Sequence, residues 1–196
     1  MIRAILIFIL SITLAYSHDT DKNNKGTDNA KADAVSYTEY YMRYEPMFNQ
    51  LKKGIGILGD NMEFVLINDN SIVNAFASTD SGKKEVILMT GFIEFFKSKV
   101  STNDLDEIIA EVLAHEIAHI ALGHTKTGKG SEPTTEIEAD LFAIRLLVAT
   151  GLPCTGGYKG MELLESGRTE FTTHPPAYFR VIYLKAMCER EMKKYE

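Results

Sequence analysis

After a leading apolar run and a polar stretch, apolar residues recur along the chain at helical spacing in some segments and in short β-prone runs in others. "VSYTEYYMRYEPMFNQL", from Val35, has aromatic and apolar residues at helical spacing interrupted by Pro46. It predicts one long or kinked helix whose tyrosines and Met42 form a packing face. Three β-prone runs follow, "MEFVLIND", "SIVNAFAST" and "EVILMTG", separated by Asn, Asp, Ser and Gly. "GFIEFFKS" predicts a short helix from Gly91. Asn103, with Asp106 three places on, is expected to cap a longer one through "LDEIIAEVLAHEIAHIALGH". Thr135 with Glu138 predicts a capping box for "EIEADLFAIRLLVAT", which Gly151 and Pro153 end. A small helix around Gly160 to Glu165 and a last one from about Pro176 to Lys194 complete the pattern. No repeat or linker divides residues 34–196, so a single domain is expected there.

The first residues change where this domain should be found. "MIRAILIFILSITLAYS" joins Arg3, an apolar run from Ala4 to Ala15, and small residues at Ala15 and Ser17. That is the pattern of a signal peptide over residues 1–17. The run is shorter than the roughly 20 residues a spanning helix needs. The mature chain is therefore expected to start near His18, in the periplasm or secreted, with no stable membrane insertion after cleavage. Residues 18–33 are polar and aperiodic and read as a disordered leader. Export permits a disulfide between the two cysteines, Cys154 and Cys188, while the sequence leaves two buried thiols open as the alternative. With 45% hydrophobic residues, 24% charged residues and a net charge of -6, the composition is that of a folded domain. Its basic residues are scattered pairs such as Lys83-Lys84, which sets nucleic acid aside.

The chemistry concentrates in "HEIAH". His115 and His119, four apart on a predicted helix, lie one turn above each other and can hold one ion between their imidazoles. Glu116 is about 100° round the helix from His115, a placement suited to a base acting on water at the metal. A catalytic zinc site needs a third protein ligand and an open position. Glu136 and Asp140, four apart on the next long helix, share one face. Glu136 is assigned to the metal, and Asp140 to a place behind it, accepting the second ring N–H of a histidine ligand. His124 competes for the third-ligand role. The longer zinc-peptidase pattern H-E-x-x-H-x-x-G-x-x-H, however, requires glycine at 122 and histidine at 125, where this chain has Leu122 and Thr125. His124 is instead expected near the helix C-terminus, where a partial positive charge is favoured.

With these residues in view, the chain resembles the zinc metallopeptidases that include the CAAX prenyl endopeptidases and their soluble periplasmic relatives. The resemblance rests on "NAFA" from Asn74, "MTGFIEFF" from Met89, "VLAHEIAHIALGH" from Val112, "EIEAD" from Glu136 and "THPPAYFR" from Thr173. It implies a compact α+β gluzincin domain with the active-site helices beside a small β-sheet. One zinc ion would be held by His115, His119 and Glu136, with Glu116 as catalytic base. It further implies that the segment Asn74, Ala75 and Phe76 pairs with an extended substrate backbone. His174 and Arg180 are placed among the catalytic residues, the former toward the scissile carbonyl or the open metal position, the latter holding an acid such as Asp140 or a substrate carbonyl. The short connection from Gly123 to Thr135 departs from relatives that carry long inserts there. It is closer to a neighbouring group of cytosolic proteases that cleave phage repressors, but the signal peptide and "THPP" argue against that group.

The function expected is a zinc-dependent endopeptidase acting on polypeptides in envelope protein quality control. The alternatives carried are a latent zinc-containing chaperone or adaptor and a structural zinc site closed by His174. The sequence does not indicate an oligomeric state.

Overall fold

Tyr40, Tyr44, Phe48 and Leu51, spaced four, four and three residues apart, are all buried and form one stripe of the first helix, α1 (Gly26–Gly54). The computed structural model describes residues 26–127, 132–165 and 177–194. The expected signal peptide lies outside these residues, and α1 takes in the end of the segment expected as a leader. Met42 departs from the expected packing face. It is 70% exposed, because two residues on from Tyr40 the helix has turned about 200° away from the buried stripe. That exposed side also accommodates Pro46, which has no N–H to donate to the Met42 carbonyl.

The β-prone runs form a three-stranded sheet: β1 (Met62–Ile67), β2 (Ala75–Ser78) and β3 (Lys84–Met89), in the order β1-β3-β2. β1 runs parallel to β3, with Met62, Phe64 and Leu66 turned into the core. β2 is an antiparallel edge strand. The Met89 N–H donates to the Asn74 carbonyl at 3.1 Å, so residues 74 and 89 form a hydrogen-bonded pair. By the alternation of an antiparallel ladder, the backbone groups of Ala75 and Ala77 then point away from β3 to the free edge. α2 (Thr90–Lys97) follows β3 at once. Its Gly91 passes so close to the preceding loop that a Cβ there would lie 2.4 Å from the Ile72 carbonyl oxygen.

α3 (Thr102–Ala121) is the hub of the fold. It starts earlier than expected: the Ser101 hydroxyl accepts from the Asp104 N–H at 3.2 Å and supplies the cap assigned to Asn103. Leu105, Ile108, Ile109, Leu113, Ile117 and Ile120 are buried along it, as are Ala110, Ala114 and Ala118 between them. The helix is therefore covered on most sides rather than on one face. A short α4 (His124–Thr127) precedes α5 (Pro133–Ala149). α5 also begins ahead of the expected capping box. Pro133, with its fixed φ and no N–H, takes the first position, and Thr135 Oγ1 donates to the Glu132 carbonyl instead of capping. α6 (Gly156–Glu165) lies against α3, where a Cβ on Gly156 would come within 1.9 Å of the Glu107 carbonyl oxygen. α7 (Ala177–Met192) packs on α5 and α6. The outcome is a compact α+β domain, mostly helical, with a small sheet.

Cys154, just before α6, and Cys188, on α7, form a disulfide with a Cα–Cα distance of 5.6 Å, which settles the pairing left open above. With a sequence separation of 34, the chain-entropy model gives it roughly 4 kcal/mol of stabilisation. Replacing both cysteines by serine is expected to lower the thermal midpoint by about 10 °C, read by circular dichroism.

Candidate metal centre

α3 supplies His115 and His119 one turn apart, and α5, packed along α3, supplies Glu136 from its first turn. The two Nε2 atoms are 3.0 Å apart. His115 Nε2 lies 3.4 Å from Glu136 Oε2, and His119 Nε2 lies 3.5 Å from Glu136 Oε1. A tetrahedral ion with metal–donor bonds of about 2.0–2.1 Å has donor–donor edges of about 3.3 Å. Both imidazoles and the Glu136 carboxylate thus stand about one such edge apart from each other, and all three side chains are buried. The donor set, two imidazoles and a carboxylate, fits zinc.

Behind each imidazole stands a group that fixes its orientation. His115 Nδ1 is 2.9 Å from Asp140 Oδ1, the partner expected for Asp140. Asp140 is fully buried and receives Arg180 Nε at 2.8 Å, Arg180 Nη2 at 2.5 Å and the Tyr183 hydroxyl. Arg180 Nη1 is 3.7 Å from Glu136 Oε2, so the guanidinium faces the centre's acids. His119 Nδ1 is 3.1 Å from His124 Nδ1, whose Nε2 lies 3.2 Å from Glu138 Oε2. His124 lies just beyond the C-terminus of α3, as expected, and there it turns toward a ligand. Gly123 adopts a positive φ of 78° and reverses the chain, so that His124 folds back onto His119.

One assignment of protons fits the contacts behind the imidazoles. His115 carries its proton on Nδ1, which faces the Asp140 carboxylate in an ion-pair contact, while His119 donates from Nδ1 to His124 and His124 from Nε2 to Glu138. Both remaining Nε2 lone pairs then face each other, which is repulsive unless a proton or a cation lies between them. The electrostatics agree. Burial alone would lower His115, but Asp140 and Glu136 raise it well above the usual imidazole value. Burial and the charge of His115 push its neighbour His119 down to about 3. Burial alone would raise Asp140, yet Arg180 and His115 hold it at about 2.

Glu116 is partly exposed beside this triad. Burial, together with the charges of Glu136 and Glu111, pushes it up to about 7, while His115 and a hydrogen bond from the Ala77 N–H act in the opposite sense. That N–H belongs to the free edge of β2, so the glutamate bridges the triad and the edge strand. Of the residues expected to bind substrate, Ala75 offers backbone groups to the free edge and Phe76 is partly exposed, whereas Asn74 is buried and its carbonyl is taken by Met89. His174 lies outside the described residues.

Tyr183, Glu138 and Glu111 were not anticipated. Tyr183 follows Arg180 by three residues, a helical spacing that puts both on one side of α7 and that the sequence displayed. Glu111 precedes His115 by four and was equally legible. Glu138 was read as half of a capping box, and its link to His124 depends on the reversal at Gly123.

The sequence model of peptidase family M48 matches residues 43–132. The match takes in the sheet, α2 and the whole of α3 with His115, Glu116 and His119, and ends before Glu136. It supports a zinc metallopeptidase, hence a protease among hydrolases. No curated protein and no solved structure matches the chain.

Changing Asp140 to Asn removes the carboxylate that meets His115, Arg180 and Tyr183. Zinc affinity is expected to fall tenfold to a hundredfold in a chelator competition assay. Unfolding by urea should show a loss of about 3 kcal/mol or more, because the Arg180 charge is left buried without its partner.

Proposed function

We propose that the chain is a zinc-dependent endopeptidase that cleaves extended segments of polypeptide. The observation that carries this reading is the junction of three features within one site. Two Nε2 lone pairs and the Glu136 carboxylate converge on one point, Glu116 stands beside them, and a strand edge with no partner strand among the described residues runs to Glu116.

Zinc held by His115, His119 and Glu136 would supply a Lewis acid for a peptide carbonyl and lower the pKa of a water. The protein's own groups do the rest. A substrate in extended form pairs with the outward N–H and C=O of Ala75 and the C=O of Ala77, which orients its backbone without reading its side chains. Glu116 takes the proton from the attacking water and returns it to the leaving amine, a role to which a carboxyl near neutrality is suited. Phe76, on the opposite face of the strand from Ala75 and Ala77, lines the approach. Asn74 anchors the start of the edge strand through its carbonyl. Arg180, expected among the catalytic residues, acts through Asp140 and Glu136 and is better described as a positioning residue. A place for His174 beside the substrate remains part of this proposal on the strength of the "THPP" resemblance.

Two features support an exported enzyme, whose substrates by analogy with the family it resembles would be unfolded or unassembled envelope proteins. The first seventeen residues have the pattern of a signal peptide, and a disulfide between buried cysteines fits an oxidising compartment. Among the described residues, no helix is long and apolar enough to cross a membrane.

Casein cleavage by the zinc-loaded chain from His18, beside Glu116→Gln, tests the reading. Wild type is expected to release fragments, and the variant to retain its zinc while losing a factor of about 10² to 10⁴ in rate. Retention of zinc by both with cleavage by neither would favour the chaperone or adaptor instead.

A further inference from the structure

Glu111 stands on α3 one turn before His115 and enters the chemistry above only through its charge on Glu116. Its side chain is buried, at 6% exposure, and Oε1 has no hydrogen-bonding partner among the described residues. Its carboxylate lies within 4.8 Å of donor atoms of both His115 and Asp140. The space it occupies exists because residue 157, at the start of α6, is glycine. A Cβ there would come within 3.0 Å of Glu111 Cγ and 3.1 Å of Cδ and Oε1. A carboxylate buried in this way is costly unless positive charge compensates it.

Two sources of compensation can be compared. A second cation between Glu111, His115 and Asp140 would need Asp140 oxygens that Arg180, Tyr183 and His115 already occupy, and would sit beside the Arg180 charge. The remaining source is the metal centre itself. Behind the ligands the buried carboxylates Glu111 and Asp140 stand with the ligand Glu136 against the single buried guanidinium of Arg180, and Glu116 adds a further acid beside them. The surroundings of the site are thus acidic, and Glu111 is the carboxylate among them that meets neither the guanidinium nor a hydrogen-bonding partner among the described residues.

We infer that Glu111 is a positioning residue of the metal centre that acts by charge: standing behind His115, it raises the affinity of the site for a divalent cation without touching ion or substrate. The inference rests on the reading of His115, His119 and Glu136 as metal ligands.

The test uses the full chain with zinc as probe, in wild type, Glu111→Gln, Glu111→Asp and His115→Ala. Zinc affinity is read by chelator competition, and thermal unfolding is followed with zinc and after chelation. Glu111→Gln should bind zinc tenfold to a hundredfold more weakly. Glu111→Asp, which keeps the charge, should fall closer to wild type. After chelation Glu111→Gln should melt no lower than wild type, because a buried charge has been removed, while zinc should raise its midpoint by less. A residue that serves only packing would lower the midpoint equally with and without zinc, and that result would overturn the inference. So would unchanged zinc affinity in Glu111→Gln while His115→Ala loses the ion, which would leave the metal-centre reading standing. Failure of wild type to bind zinc at all would overturn both.

Discussion

Asp140 is the point at which three helices become one site. It faces His115 Nδ1 on α3 at ion-pair distance, sits on α5 and receives the guanidinium and hydroxyl of Arg180 and Tyr183 from α7. A fully buried carboxylate is tolerated because its lone pairs are satisfied from these neighbours. The consequence is geometric. The direction of His115 Nε2 depends on where Nδ1 is held, and so on where α7 docks, although α7 itself supplies no ligand. The remaining imidazole is steadied from the other side, through His124 and Glu138.

Such a site stands in the interior of the fold rather than on its surface. α3 is covered by α5, α6 and the sheet, and its polar residues interrupt an otherwise apolar helix. Each buried polar group is a local conflict between packing and function, of the kind that marks functional sites. Small residues resolve part of that conflict. Ala110, Ala114 and Ala118 leave α3 slender, and Gly156 and Gly157 allow α6 to approach it closely.

The ligands were legible in the sequence because their spacings are local. His115 and His119, like Glu136 and Asp140, are four apart, and a helix converts that interval into a shared face whatever the rest of the chain does. The three strands could be read for a similar reason, since short β-branched and aromatic runs stood between clear turn residues. Helix starts were harder. Ser101 and Asn103 are both good caps, and nothing local decides between them. Pro133 displaced a plausible Thr135–Glu138 box because its fixed backbone favours the first turn. Contacts that depend on a chain reversal or on the docking of a distant helix were not legible. His124 on His119 and Glu138 on His124 belong to this class, as does the joining of Cys154 to Cys188. Met42 was misplaced for a simpler reason: an apolar side chain near a buried stripe need not belong to it.

The bridge between Cys154 and Cys188 has a topological consequence as well as an energetic one. It encloses the stretch of chain that leads from α6 into α7, so a single backbone cut anywhere within that stretch does not set the last helix free. The severed parts remain one covalent molecule, and Arg180 stays on the tethered side unless the cut falls between it and Cys188. A domain of this kind can be nicked there without shedding the helix that orients its metal ligand.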